Sequence, residues 1–152
     1  EGTYSYTPPP DNIRDQGGVA DIPFGKGDLT DRQAAPTTGD VIKKNSKIQD
    51  WVVRYKTPAP FAITFDLTVP RDLQRIHVFY TGPLSGLTVA TSTNGQDWRV
   101  VAEQGEAVTP PRDVAELAIE FTPAPARFVR LSFAERKGKG MFVISEIEIW
   151  GP

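Results

Sequence analysis

The chain has 152 residues, a formal net charge of −2, 39% hydrophobic residues and no cysteine. The length suits one domain with a sizeable core, and the lack of cysteine excludes disulfides and thiolate chemistry. No basic stripe interleaved with aromatics is present, which argues against a nucleic-acid surface, and the apolar runs fall short of the roughly 18–20 residues a membrane-spanning helix needs.

Residues 1–40 carry little periodicity. Glu1 to Thr3 read as linker, and Tyr4-Ser5-Tyr6-Thr7 as a short edge strand stopped by Pro8-Pro9-Pro10, which cannot donate to a sheet ladder. Residues 8–40 form a long irregular region rich in Gly and Asp. A loop of that length is uncommon unless it is functional or pinned by something. Residues 41–50 are polar and ambiguous. Trp51 to Tyr55 reads as a strand with Trp51, Val53 and Tyr55 on one face and Val52 and Arg54 on the other. Thr57-Pro58-Ala59-Pro60 breaks it.

Two amphipathic strands follow, since successive side chains of a strand point to opposite faces. In the first, Phe61, Ile63, Phe65 and Leu67 alternate with Ala62, Thr64 and Asp66. In the second, Leu73 to Tyr80, Ile76, Val78 and Tyr80 oppose Arg75, His77 and Phe79. After the loop 81–86 comes a hairpin, Leu87 to Glu103. Asn94-Gly95 tolerates the positive φ of a tight turn, Trp98 is expected to cap the core beside it, and Trp98, Val100 and Ala102 to share the buried face.

Leu117, Ile119 and Phe121 mark the next strand. A second Thr-Pro-Ala-Pro at 122–125 separates it from Arg127 to Phe133, whose Val129, Leu131 and Phe133 point inward. Ala134 to Gly140 is a basic loop. Met141 to Trp150 is the last strand, with Ile147 and Ile149 buried between Glu146, Glu148 and Trp150. Fourteen prolines and thirteen glycines punctuate this series. About eight strands at 8–12-residue spacing and no helix predict a single all-β domain over residues 1–152, a β-sandwich or jelly roll of antiparallel strands.

Six motifs in order, Leu-Thr-Asp (29–31), Phe-Asp-Leu (65–67), Ile-His-Val-Phe-Tyr (76–80), Ser-Thr-Asn-Gly-Gln-Asp-Trp (92–98), Ala-Arg-Phe-Val-Arg-Leu (126–131) and Ser-Glu-Ile-Glu-Ile (145–149), resemble the discoidin (coagulation factor 5/8 type C) superfamily. Within it the chain resembles the galactose-binding-like modules of carbohydrate-binding family 32. Three positions depart from the family pattern. Arg32 stands where Gly often follows Asp, Thr68 replaces the Gly after Asp-Leu, and Asn94 replaces Asp in the hairpin turn.

The resemblance implies a structural calcium ion joining the early Thr-Asp loop to the last strand. Carried over by position, Asp31 and Glu146 would supply side chains, with carbonyl oxygens from Asp28, from Thr37 or Thr38, and from Ser145. Hard oxygen donors in a flexible loop suit that ion. The plain alternative makes Asp31 a turn residue and Glu146 a solvated charge. The resemblance also implies a sugar site in loops at one end of the sandwich, where an aromatic stacks on the ring and planar polar groups bond the hydroxyls. Candidates are Trp51, Arg54, Tyr80, Lys137, Lys139 and Met141, with His77 in a minor place. Against these stand core packing for Trp51, a buried ring for Tyr80, a solvated loop for the lysines and a structural role for His77. Trp150 is read as structural, half exposed or covered by a neighbouring domain.

No nucleophile elbow or multi-histidine metal site is present, with one histidine in the chain, so no catalysis is expected. The resemblance implies a non-catalytic module. It is expected to be excised from a larger secreted bacterial carbohydrate-active enzyme, with glycan and the parent's catalytic domain as partners. A ligand-free interdomain module and an adhesion module are the alternatives. Lipid is disfavoured because Leu84 is the only apolar loop spike.

Overall fold

The computed structural model describes residues 2–8, 10, 22–23, 53–55, 58–82, 84–106, 115–136 and 142–152. Among them are eight strands and no helix: β1 (Thr3–Thr7), β2 (Ile22–Pro23), β3 (Val53–Tyr55), β4 (Phe61–Thr81), β5 (Leu87–Ser92), β6 (Arg99–Gln104), β7 (Ala115–Phe133) and β8 (Phe142–Trp150). All pairings are antiparallel, in the order β2-β1-β4-β7-β5-β6, with β8 joining β4 to β3.

The two amphipathic segments on either side of Pro70 are one strand of 21 residues, and those on either side of Thr-Pro-Ala-Pro (122–125) are one of 19. Pro70 and Pro123 do not end these strands because they fall where the ladder is already irregular, while Pro125 stays in register opposite Asp72. Asp66 pairs with Phe128 but Arg71 with Ala126, so β4 carries extra residues at 67–70; Leu73 pairs with Ala124 but Arg75 with Glu120, so β7 carries extras at 121–123. Bulges of this kind bend both strands and let them pass from one layer to another.

Each half then has its own partners. Phe61 to Asp66 lies between β1 and Phe128–Phe133 of β7, whereas Arg75 to Tyr80 lies between β8 and Ala115–Glu120 of β7. The inward residues of both halves, Ile63, Phe65, Ile76 and Val78 among them, form one buried cluster with Leu87, Val89, Val129 and Leu131. Rings from the two halves meet at Phe142 of β8, whose centroid lies 6.2 Å from Phe61, 5.7 Å from Phe133 and 5.5 Å from Tyr80. The result is the expected all-β jelly-roll sandwich.

Several local expectations change. The first strand is not an edge: β1 runs between β2 and β4, and Tyr4 and Tyr6 are buried. Ile22–Pro23, read as irregular, forms the short outer strand that covers it. The hairpin turn is also longer than a two-residue loop. Gly95 does adopt φ 78°, but β5 and β6 are joined through six residues, 93–98, organised by side chains. Ser92 Oγ accepts the N–H groups of Asn94 and Gly95, and Asn94 Oδ1 accepts those of Gln96 and Asp97. A bulge then shifts β6: Val89 pairs with Ala102 but Ala90 with Val100, leaving Val101 between them. A one-residue shift exchanges faces, so Val100 is 55% exposed and not buried as its alternation suggested.

Trp98 does not cap the core. It is half-buried, and the Arg130 guanidinium sits 4.1 Å from its ring centroid. Arg130 alternates with the buried Val129 and Leu131, so this cation–π contact lies on the outer face of the sheet.

Candidate functional site

The end of the sandwich at which the sugar loops were expected is tied together by a residue the sequence reading passed over. Arg136, in the basic loop after β7, is 4% exposed. Its backbone N–H donates to Pro58 O at 2.8 Å, and its Nη2 donates to Tyr55 O at 3.0 Å. The guanidinium lies 5.2 Å from the Phe142 centroid and 5.9 Å from that of Phe61. A buried cation is tolerated when carbonyl oxygens and ring faces replace its water. Two residues earlier, Ala134 N–H donates to Gly86 O. The segment 134–136 therefore draws the loop after β4 and the approach to β4 to one end. Nothing local distinguished Arg136 from the charged residues around it; only the ring cluster below it does.

Of the proposed sugar-site residues, Trp51, Lys137, Lys139 and Met141 lie outside the described residues. Arg54 is described only as a backbone position of β3, paired with Val143. Tyr80 is buried, its ring stacked on Phe142, so it belongs to the core beneath that end. Leu84 is also buried, at 2% exposure, and is not a loop spike.

His77 lies elsewhere, on the outer face of β4 between Ala118 of β7 and Glu148 of β8. Nδ1 is hydrogen-bonded to Glu116 Oε2 and lies 3.8 Å from Glu148 Oε1. Nε2 is buried with no hydrogen-bond partner. The ring is thus held between the carboxylates of two neighbouring strands.

The metal proposal divides in the same way. Asp28, Asp31, Thr37 and Thr38 lie outside the described residues, while Ser145 and Glu146 adjoin a bulge in β8: Phe79 pairs with Glu146 but Tyr80 with Ile144. Both are buried, at 1% and 4% exposure. Glu146 is therefore not a solvated strand charge. A carboxylate is rarely taken out of water without a cation or donors to meet it, and its oxygens are the hard donors a calcium ion takes. Among the described residues no group of three metal-ligating side chains occurs.

A further constellation runs along the outer face toward the end of β8. Trp150 is 46% exposed. Its Nε1–H donates to Glu148 Oε1 at 3.3 Å, and the Arg75 guanidinium lies 5.5 Å from its ring centroid. Arg75 in turn approaches Glu120 at 3.8 Å. Beside Trp150, Gly151 passes so close to Asp72 O that an added Cβ would sit at 2.9 Å. That seats the end of the chain on the β4 bend, with a cleft on either side.

Among solved structures, the C-terminal domain of a chitobiase from Bacteroides fragilis superposes with a TM-score of 0.63 at 18% identity, covering 99% of this chain and 92% of that one. The module CpGH89CBM32-5 from Clostridium perfringens, in complex with GalNAc-β-1,3-galactose, gives 0.61 at 15% identity, covering 99% and 94%. The fold is that of family 32 carbohydrate-binding modules. A chitosan-binding module from a chitosanase/glucanase of Paenibacillus sp. IK-5, in complex with chitotriose, matches 65% of this chain and 78% of its own at 19% identity and a TM-score of 0.54. No protein-family model and no curated protein matches the sequence.

Proposed function

We propose that the chain is a non-catalytic carbohydrate-binding module that holds a larger secreted bacterial enzyme against its polymeric substrate. The observation that carries this reading is the superposition, over nearly the whole chain, on a module in complex with a disaccharide. Weak binding suffices for the role, because tethering raises the effective concentration of an attached catalytic domain at the glycan surface. The sugar would be met at the loop end tied by Arg136, with Trp51, Arg54 and Lys139 as its ligands. Calcium would be held by Glu146 and the Ser145 carbonyl from β8 and by Asp28, Asp31 and Thr37 from the irregular segment. Its chemistry would be structural, pinning that segment to the last strand.

The test is affinity electrophoresis of the purified chain through gels containing chitin-, chitosan-, galactan- and alginate-type polymers, followed by calorimetry with the matching oligosaccharide. Retardation by at least one polymer, with calorimetric binding in the millimolar to micromolar range, is expected. Unretarded migration through every gel would reject the module reading and leave the ligand-free interdomain role.

A further inference from the structure

The residues around Trp150 satisfy the physical requirements of a glycan contact without belonging to the loop end. From Phe142, which packs beneath that end, β8 runs eight steps to Trp150, about 25 Å at the usual rise of a strand. Three large hydrophobic side chains are exposed among the described residues, and Trp150 is the one aromatic among them. An exposed indole loses its contact with water cheaply and offers a flat apolar surface. Here the ring is also held, with its N–H on Glu148 and the Arg75 guanidinium over it. A fixed ring loses little rotational freedom on binding, which is the benefit of preorganisation.

Next to it is a cleft of about 190 Å³ lined by Gln74, Arg75, Glu120, Gly151 and Pro152. The amide, guanidinium and carboxylate there are the planar donors and acceptors that pair with vicinal hydroxyls. Among the described residues along this face, three carboxylates, Glu116, Glu120 and Glu148, stand against the guanidinium of Arg75 and the ring of His77. Such a strip repels uronic acid and sulfated chains by like charge.

We propose that Trp150, with Gln74, Arg75 and Glu120, forms a second, sheet-face glycan subsite for neutral sugar chains. It lies at the end of the sandwich opposite the loop site. The proposal rests on the carbohydrate-binding reading and adds a location and a charge preference to it. Two contacts on one module make binding of a polymer bivalent, so the second contact counts for more on long chains than on short ones.

The three tryptophans supply three indole N–H signals in a nitrogen-15 correlation spectrum, and Trp150→Phe identifies one of them by its loss. Neutral β-linked hexaoses of glucose, N-acetylglucosamine and galactose are titrated into the wild-type chain, with trigalacturonate as the anionic probe. The expected result is a saturable shift of the Trp150 signal with at least one neutral hexaose and none with trigalacturonate. Trp150→Ala, an exposed substitution checked by an unchanged melting curve, should weaken that hexaose by roughly tenfold, with partial recovery in Trp150→Phe. Hexaose binding that leaves the Trp150 signal still and the Ala variant unaffected would overturn the subsite while the module reading stands. Equal binding of trigalacturonate would overturn the charge preference. Failure of every probe to bind would overturn the subsite, and retardation in the polymer gels decides the module reading separately.

Discussion

Asp66 and Arg127 close a two-pronged ion pair across the corner where β4 and β7 leave one layer for the other. Nε meets Oδ1 at 2.9 Å and Nη2 meets Oδ2 at 3.1 Å. The hydrogen bond from Arg127 holds the Asp66 carboxyl below its ordinary 3.8; partial burial opposes this, and the Thr68 N–H and the charge of Arg127 reinforce it. Because the folded-state value lies below the unfolded one, the ionised group stabilises the fold above the unfolded value. That contribution fades as the pH falls through the folded value. Asp66→Asn is therefore expected to lower the melting temperature at neutral pH, with the gap from wild type narrowing below about pH 4. Melting curves of both proteins between neutral and strongly acid pH check this, and a gap that stays constant would show that the pair contributes nothing through its charge.

The same corner contains Thr68, a β-branched residue at φ 70°. That is the left-handed region, where a Cβ crowds the backbone and only glycine is at ease. By the resemblance Thr68 stands at a Gly position, and its backbone adopts a conformation that glycine favours. Thr68→Gly relieves the crowding but frees the unfolded chain, so a net gain of about 0.5–1 kcal/mol is expected. For a chain of this size that is a rise of roughly 1–4 °C in melting temperature. A fall would mean that the Thr68 hydroxyl bond to Leu67 O outweighs the strain.

Gly95 is the reverse case. It has φ 78°, and an added Cβ would lie 3.3 Å from the ring of Phe128. Gly95→Ala should cost about 1–2 kcal/mol. Gly105 has open space around it, so Gly105→Ala should stay within about 0.5 kcal/mol of wild type. Denaturant midpoints of the two variants make the comparison, and equal losses would show that the hairpin tip tolerates a side chain.

Calcium, if held by Glu146, stabilises the folded state by mass action. At a hundredfold excess over its dissociation constant the gain is about 2.7 kcal/mol, or roughly 5–10 °C here. Adding calcium to chelator-treated protein should raise the melting temperature of wild type and leave Glu146→Gln unmoved. A wild-type curve indifferent to both chelator and calcium would remove the metal from the account.

The strand faces were legible because alternation is local: Phe61, Ile63 and Phe65 point inward whichever strand lies beside them. The fold followed from the same signal, together with the order of six short motifs. The candidate site was legible only as a set of loops. Arg136 reads as one charge in a basic run, and its burial depends on the Tyr55 carbonyl of β3 and on rings from β4 and β8. Trp150 and Arg75 are half the chain apart in sequence and meet because β8 pairs with β4.

What the amino-acid order settled by itself is the set of inward-facing side chains and the all-β class, since each depends only on neighbours two residues away. What pairing decided is the passage of β4 and β7 through their prolines, the exposure of Val100 and the burial of Glu146. Each of these turns on a bulge, and a bulge is a mismatch between two strands that neither strand contains alone.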